Sequence, residues 1–191
     1  MPQDQSITRQ DAPKVLVTKR LTLRPPLPFD ADSVADALTN PNVARMLSKV
    51  PHPYSLSEAE KWVEAARKAP CTFTIHREQL IGVVAVNDGP EAPQLGYWLA
   101  EPWWGKGYMS EAARAVLAQA FRVFGSDTIG SYAIADNEAS LRIMDKLGFV
   151  AVGKGTVFNH TRGAGYPTIK TELKLETFER KFGSLEGREA A

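Results

Sequence analysis

Intrachain disulfides are excluded by arithmetic, because the 191-residue chain holds one cysteine, Cys71. Together with the polar start this favours a reducing compartment, and a cytoplasmic location is expected. Cys71 opens the alternating stretch "CTFTIH", where a small apolar residue is needed for packing. It forms no dyad with His76, since positions five apart on one strand face opposite ways. An excess of one charge is also missing: 23 basic side chains stand against 22 acidic ones. That balance offers neither a basic stripe for nucleic acid nor a patch for an anionic membrane. No apolar run approaches the ~20 residues that span a bilayer. The opening "MPQDQSITRQDAPK" has no apolar core of the kind a secretory signal carries. The three histidines, His52, His76 and His160, lack ligand spacing, so no metal site is expected.

What is present is an alternation of strand and helix signals without repeats or a compositional break. "LVTKRLTLRPP" alternates as a strand and stops at two prolines, and "FDADSVADALTN" places Val34, Ala35 and Leu38 at helical spacing behind Asp30 or Asp32 as cap. "SLSEAEKWVEAARK" reads as a helix, with Ser57 and Glu60 spaced as a capping box. "CTFTIH" and "LIGVVAVND" flank a short turn, and "QLGYWLAE" is a further strand stopped by Pro102. "SEAARAVLAQAFRVF" is a helix with Ser110 at its mouth, and "TIGSYAIA" is the strand that follows it. "NEASLRIMDKLG" is a helix closed by Gly148, and two strands around "NHTRGAGYP" complete the chain. The order β-α-α-β-β-β-α-β-α-β-β predicts a single α/β (α+β) domain. Its mixed sheet combines an antiparallel hairpin with one parallel strand–helix–strand unit. The expected limits are a loose lead-in over 1–14, a packed domain over 15–178 and a tail over 179–191.

The chemistry is concentrated in "AEPWWGKGYMSEAARAVLAQAF", residues 100–121. A strand end turns directly into a helix start, where unpaired N–H groups and a partial positive charge gather. Gly105 and Gly107 remove the Cβ atoms that would hold a phosphate away from the backbone, and Lys106 adds a full charge. Two other phosphate motifs fail. Lys106 is followed by Gly107 rather than Ser or Thr, and the second half of G-x-G-x-x-G is Tyr108-Met109-Ser110. The pattern fits a pyrophosphate cradle, and by glycine count alone it fits equally a plain glycine turn before a surface helix.

The string "LGYWLAEPWWGKGYMSEA" closely resembles the acetyl-CoA-binding motif of the GNAT acetyltransferases, in the RimJ/RimL-type branch. "LTLRP", "SLSEAEKWV", "LIGVVAV", "NEASLRIMDKLGFVAVG" and the closing hairpin follow in the family's order, so that the resemblance covers about residues 16–176. Elsewhere in the superfamily the loop reads Gln/Arg-x-x-Gly-x-Gly/Ala. Trp104 stands at the Gln/Arg position, Gly107 is the central glycine, and Met109 replaces the last small residue. Met109 narrows the loop unless only its backbone faces the phosphate.

The resemblance implies the GNAT fold: a central sheet of about six to seven strands, splayed in a V where the pantetheine arm enters. It implies acetyl-CoA as co-substrate and an acetyl group moved directly to a primary amine. Trp98 and Leu99 are expected to offer backbone contacts, and the Leu99 N–H to polarise the thioester carbonyl. Trp104, Gly105, Lys106, Gly107, Tyr108 and Met109 form the cradle. Asn137 is expected to bond the pantetheine as well as cap its helix, and Ser140 to serve the departing thiolate. Arg142 and Lys146, four apart on that helix, read as a solvated basic face, with contact to CoA phosphates as the alternative. The acceptor amine is expected between "MLSKVPHPYSLS" and "FNHTRGAGYPT", which makes His52, Tyr54, His160 and Arg162 the substrate-side residues. The base stays open among Glu101, Glu111, Asp136, His160 and a water chain. So does the acceptor, between a protein or peptide N-terminal α-amine and a small amine compound, and so does the choice of monomer or homodimer. The alternative activity is a non-catalytic acyl-CoA-binding module on the same fold.

Overall fold

A computed structural model describes residues 15–48 and 50–185; the expected lead-in over 1–14 lies outside them. Strands β1 (Leu16–Val17), β2 (Thr22–Arg24), β3 (Thr72–His76), β4 (Leu80–Asn87), β5 (Gln94–Leu99), β6 (Thr128–Ile134), β7 (Val150–Asn159) and β8 (Ala164–Lys174) form one sheet. Its order is β1-β2-β3-β4-β5-β6-β8-β7. Every neighbouring pair is antiparallel except β5 and β6. That parallel pair is joined by helix α4 (Tyr108–Phe124), as a parallel connection requires.

The sheet has eight strands rather than six or seven, because the first predicted strand is two. The Thr18 N–H donates to the Leu21 carbonyl at 2.9 Å and Thr18 Oγ1 accepts from the Leu21 N–H at 3.1 Å, folding the chain back on itself. The apolar alternation continues across this break in Leu21 and Leu23, both buried.

Helices cover both faces. On one, α4, α5 (Glu138–Leu147) and α6 (Leu175–Phe182) pack on Leu23, Phe73, Ile75, Val84, Leu95, Ile129 and Leu173. On the other, α1 (Ala31–Thr39), α2 (Pro41–Ala44) and α3 (Leu56–Ala66) enclose Val34, Leu38, Val43, Tyr54, Ala59 and Val63, with Trp98 packed beside them.

Local chemistry sets the helix ends, in places one step from where the sequence suggests. The α3 capping box is Ser55 with Glu58, not Ser57 with Glu60: the Glu58 N–H donates to Ser55 Oγ, and the Ser55 N–H donates to the Glu58 carboxylate. Asp30 precedes α1 without a side-chain bond to that helix. It is buried, its carboxylate accepts from the Leu27 N–H at 2.7 Å to cap the turn over Pro28–Asp30, and it takes a two-pronged bond from Arg24, both arms 2.7 Å. Helix α4 starts at Tyr108, two residues before Ser110, with Gly107 as its cap. Helix α6 runs across the expected start of the tail at 179: its Phe178 is fully buried, and Phe182 and Leu185 pack partly buried against the same core.

Candidate active site

Strands β5 and β6 pair only at their beginnings, Gln94 with Gly130 and Leu95 with Ser131, and then part. Backbone groups alternate in direction along a strand, and fixed contacts show which residues of β5 face the opening. The Ala100 N–H donates to Ile81 O at 2.9 Å, so even-numbered residues of this stretch turn to β4. Pro93 O accepts from the Gly130 N–H, Leu95 O from Ser131 Oγ, and Leu99 O from Trp104 Nε1, so odd-numbered residues turn to the β6 side. Tyr97 and Leu99 therefore border the split with their backbone groups. Trp98, expected to share that duty, turns its backbone to Val83 of β4 and its indole to the α1–α3 core. Tyr97 is the residue the sequence reading passed over; two-residue alternation from Leu99 would have indicated it.

At the end of β5 a 3-10 turn over Glu101–Trp103 leads into the glycine loop. Gly105 and Gly107 hold φ of 73° and 77°, the left-handed region that side chains resist. A Cβ on Gly105 would meet nothing within 4 Å, so the space over the loop is open. The Glu111 N–H is bonded to Gly107 O at 3.2 Å, which leaves the first amides of α4, from Tyr108 to Ser110, without partners in the helix. Trp104 braces the loop through its 2.7 Å bond to Leu99 O. Lys106 folds back, its Nζ 2.8 Å from Pro102 O and over the Trp103 ring. Met109 is buried in the main core, so its side chain leaves the loop and does not narrow it.

The loop is also held from behind by Arg20. Its Nη1 donates to Lys106 O at 3.0 Å and its Nε to Glu111 Oε2 at 2.7 Å, while its guanidinium lies over the Tyr108 ring. Burial alone would raise the Glu111 carboxyl, but bonds from Thr18 and Arg20 outweigh it and hold the group below its usual range. A negative charge beside the cradle is thereby matched by a positive one. Residues 91 positions apart carry this pairing, and no local pattern signals it.

Past the loop, a groove is lined by Lys19, Ser110, Arg114 and Lys146, with the Arg20-paired Glu111 among them. Arg142 is instead committed to Glu138 at 3.0 Å on the exposed face of α5. At the start of α5, Asn137 Oδ1 accepts from the Ser140 N–H at 3.1 Å. The Ser140 hydroxyl donates to the Tyr97 phenol oxygen at 2.8 Å, so its hydrogen is engaged in this structure.

The two expected substrate-side loops do meet, through the foreseen Arg162 and through Asn159, which was not foreseen. Fully buried Asn159 donates to Arg45 O and Leu47 O, and Ser48 Oγ lies 2.9 Å from the Tyr132 hydroxyl of β6. Arg162 joins Asp136 at 2.6 and 3.2 Å, stacks on Tyr166 and reaches Met46 Sδ. Tyr54 belongs to the α1–α3 core, where burial and then Glu58 push its phenol up to about 12. His52 and His160 are exposed, the latter edge-on to Phe158.

Three of the candidate bases are carboxylates already committed. Hydrogen bonds from Asn40 and Asn42 hold Glu101 low, those from Thr18 and Arg20 hold Glu111 low, and Arg162 does the same for Asp136. A carboxylate so stabilised is a weak proton acceptor at neutral pH.

Residues 20–150 match the family described as the acetyltransferase (GNAT) domain. The uncharacterized N-acetyltransferase YoaA of Bacillus subtilis strain 168 is 27% identical over 171 residues, covering 81% of this chain and 93% of the relative. Among solved structures, the ribosomal-protein-S5-alanine acetyltransferase of Vibrio fischeri superposes with a TM-score of 0.71 at 20% identity, over 84% of this chain and 96% of that one. RimL, the ribosomal L7/L12 α-N-protein acetyltransferase solved with coenzyme A, gives 0.73 at 20% identity, over 85% and 99%. With its split parallel pair, its glycine-led helix and this match over most of its length, the chain belongs to the GNAT acetyltransferase family.

Proposed function

We propose that this protein moves the acetyl group of acetyl-CoA directly to a primary amine, with both substrates bound together. The observation that carries the reading is the split edge of β5 lying next to the open amides of α4. A strand edge without a neighbour accepts a ligand's amides as it would another strand, and Tyr97 and Leu99 present that edge. The helix start takes the pyrophosphate on the amides of residues 105–110, while Lys19, Arg114 and Lys146 draw the nucleotide's remaining charge along the groove. The amine attacks the thioester carbonyl, the Leu99 N–H steadies the oxyanion, and Ser140 faces the sulfur as it leaves. With the nearby carboxylates hydrogen-bonded and ionised, a water chain takes the amine's proton. Because Arg162 neutralises Asp136, the acceptor side does not favour a polycation. A peptide N-terminal α-amine suits it better, as in the named substrates of RimL and the S5 enzyme.

Thermal unfolding with acetyl-CoA, CoA and ATP tests the cofactor, and CoA thiol release with N-terminal peptides tests the transfer. At about 100 times its dissociation constant a ligand adds about 2.7 kcal/mol, or roughly 5–10 °C for a chain of this size. Stabilisation by acetyl-CoA but not ATP, followed by amine-dependent thiol release, is expected. Stabilisation without turnover on any amine would instead indicate a non-catalytic acyl-CoA-binding module, and no stabilisation would end the reading.

A further inference from the structure

Tyr97 reaches from β5 to the first turn of α5, bridging the two sides of the split. Its hydroxyl donates to the Ser140 carbonyl at 3.2 Å and accepts from the Ser140 hydroxyl at 2.8 Å. The serine hydrogen rotates about its C–O bond, and the phenol hydrogen exchanges between its two in-plane positions. The same heavy atoms therefore support a second arrangement, in which the phenol donates to Ser140 Oγ and the serine hydrogen is released toward a third acceptor. Asn137 holds the serine in place by its backbone amide at 3.1 Å. The backbone of Tyr97 itself borders the space between β5 and β6.

Resting on the acetyl-transfer reading, we infer that Tyr97 is a positioning residue that aims the Ser140 hydroxyl at the CoA sulfur and strengthens it as a donor to the thiolate. When the amine nitrogen attacks, a C–N bond forms, the C–S bond breaks and its electron pair settles on sulfur. The serine hydrogen bond receives that charge, and the phenol's bond to Ser140 Oγ polarises the serine further. The proton shed by nitrogen passes to water, sulfur takes one from water, and both hydroxyls end as they began. Burial pushes the Tyr97 phenol up to about 12, with the Ser140 bond opposing in part, so it stays neutral beside the thiolate. In Asn137 and Ser140 the serine half of this pair is legible from sequence. The phenol half comes from 43 residues away.

The test needs no acceptor amine. The thiol of CoA bound to the full chain is titrated by thiolate absorbance in wild type, Tyr97→Phe, Ser140→Ala and Ser140→Thr, with free CoA as reference. A hydrogen bond to the charged form lowers its pKa. The wild-type complex should ionise about one pH unit below free CoA. Ser140→Ala should return the thiol to the free value and Ser140→Thr should keep the depression. Tyr97→Phe, read on its fully CoA-loaded complex, should lose half the shift or more. A Tyr97→Phe complex that titrates with wild type overturns the inference, as does a wild-type thiol no more acidic than free CoA. Absence of CoA binding by the wild type sinks the acetyl-CoA reading and this inference together. Binding with an unmoved thiol sinks this inference alone.

Discussion

Arg20 and Glu111 meet behind the glycine loop, with the Arg20 N–H 2.9 Å from Oε1 and its Nε 2.7 Å from Oε2. This contact fastens the turn between β1 and β2 to the first turn of α4. It also neutralises the carboxylate nearest the proposed pyrophosphate site. Arg20→Ala is expected to weaken CoA binding about tenfold, equivalent to about 1.4 kcal/mol. Adding Glu111→Gln should recover part of the loss, because the repulsive charge goes with it. Calorimetric titration of the single and double variants with CoA checks this; equal losses in both would show that the arginine acts by shape alone.

The same contact predicts an acid-side instability. The folded Glu111 carboxyl lies below its ordinary value of 4.5, its bonds to Thr18 and Arg20 outweighing burial. A depressed carboxylate contributes stability that is fully present above the unfolded value and is lost as pH falls through the folded one. Wild-type Tm should therefore decline below about pH 4.5, and Glu111→Gln should show a shallower decline from a lower starting point. Melting curves between about pH 6 and pH 3 decide it.

Gly107 has φ of 77°, and a Cβ there would come no closer than 3.5 Å to its nearest neighbour, Arg20 Nη2. Gly107→Ala thus brings backbone strain without a steric clash, costing about 1–2 kcal/mol. CoA affinity should fall further, by tenfold or more (about 1.4 kcal/mol), because the strained residue caps the helix that carries the cradle. A variant that melts lower yet binds CoA normally would place the pyrophosphate elsewhere.

Much of this site was legible because its signals are local. The strand, the two glycines and the apolar face of α4 lie within 31 consecutive residues, 94–124. Contacts distant in sequence carried no such signal: Tyr97 with Ser140, Arg20 with Glu111, and Asn159 with the carbonyls of Arg45 and Leu47. Helix α6 escaped notice for another reason. Strand β8 passes from Lys174 into Leu175 with neither glycine nor proline between them, so the alternating pattern ran on into a helix whose one fully buried residue is Phe178. Tyr54 reads as a loop aromatic near a histidine, but only the packing of α1–α3 makes it a core residue.

Asn137 separates capping from cofactor contact. Loss of its bond to the Ser140 N–H should cost about 1 kcal/mol, or roughly 2–4 °C in Tm. Asn137→Asp keeps a capping oxygen but loses the amide donor. If Asn137 also bonds the pantetheine, that variant should retain stability and still bind CoA more weakly. Equal CoA affinity in Asn137→Asp and wild type would confine Asn137 to capping.

Amide hydrogen exchange with and without acetyl-CoA tests the central claim most directly. If the pantetheine completes the open edge of β5 and the pyrophosphate sits on the start of α4, exchange should slow at Tyr97, Leu99 and residues 105–110. The amide of Trp98, already turned to β4, should change little. Protection confined to other segments, or none at saturating acetyl-CoA, would contradict the account.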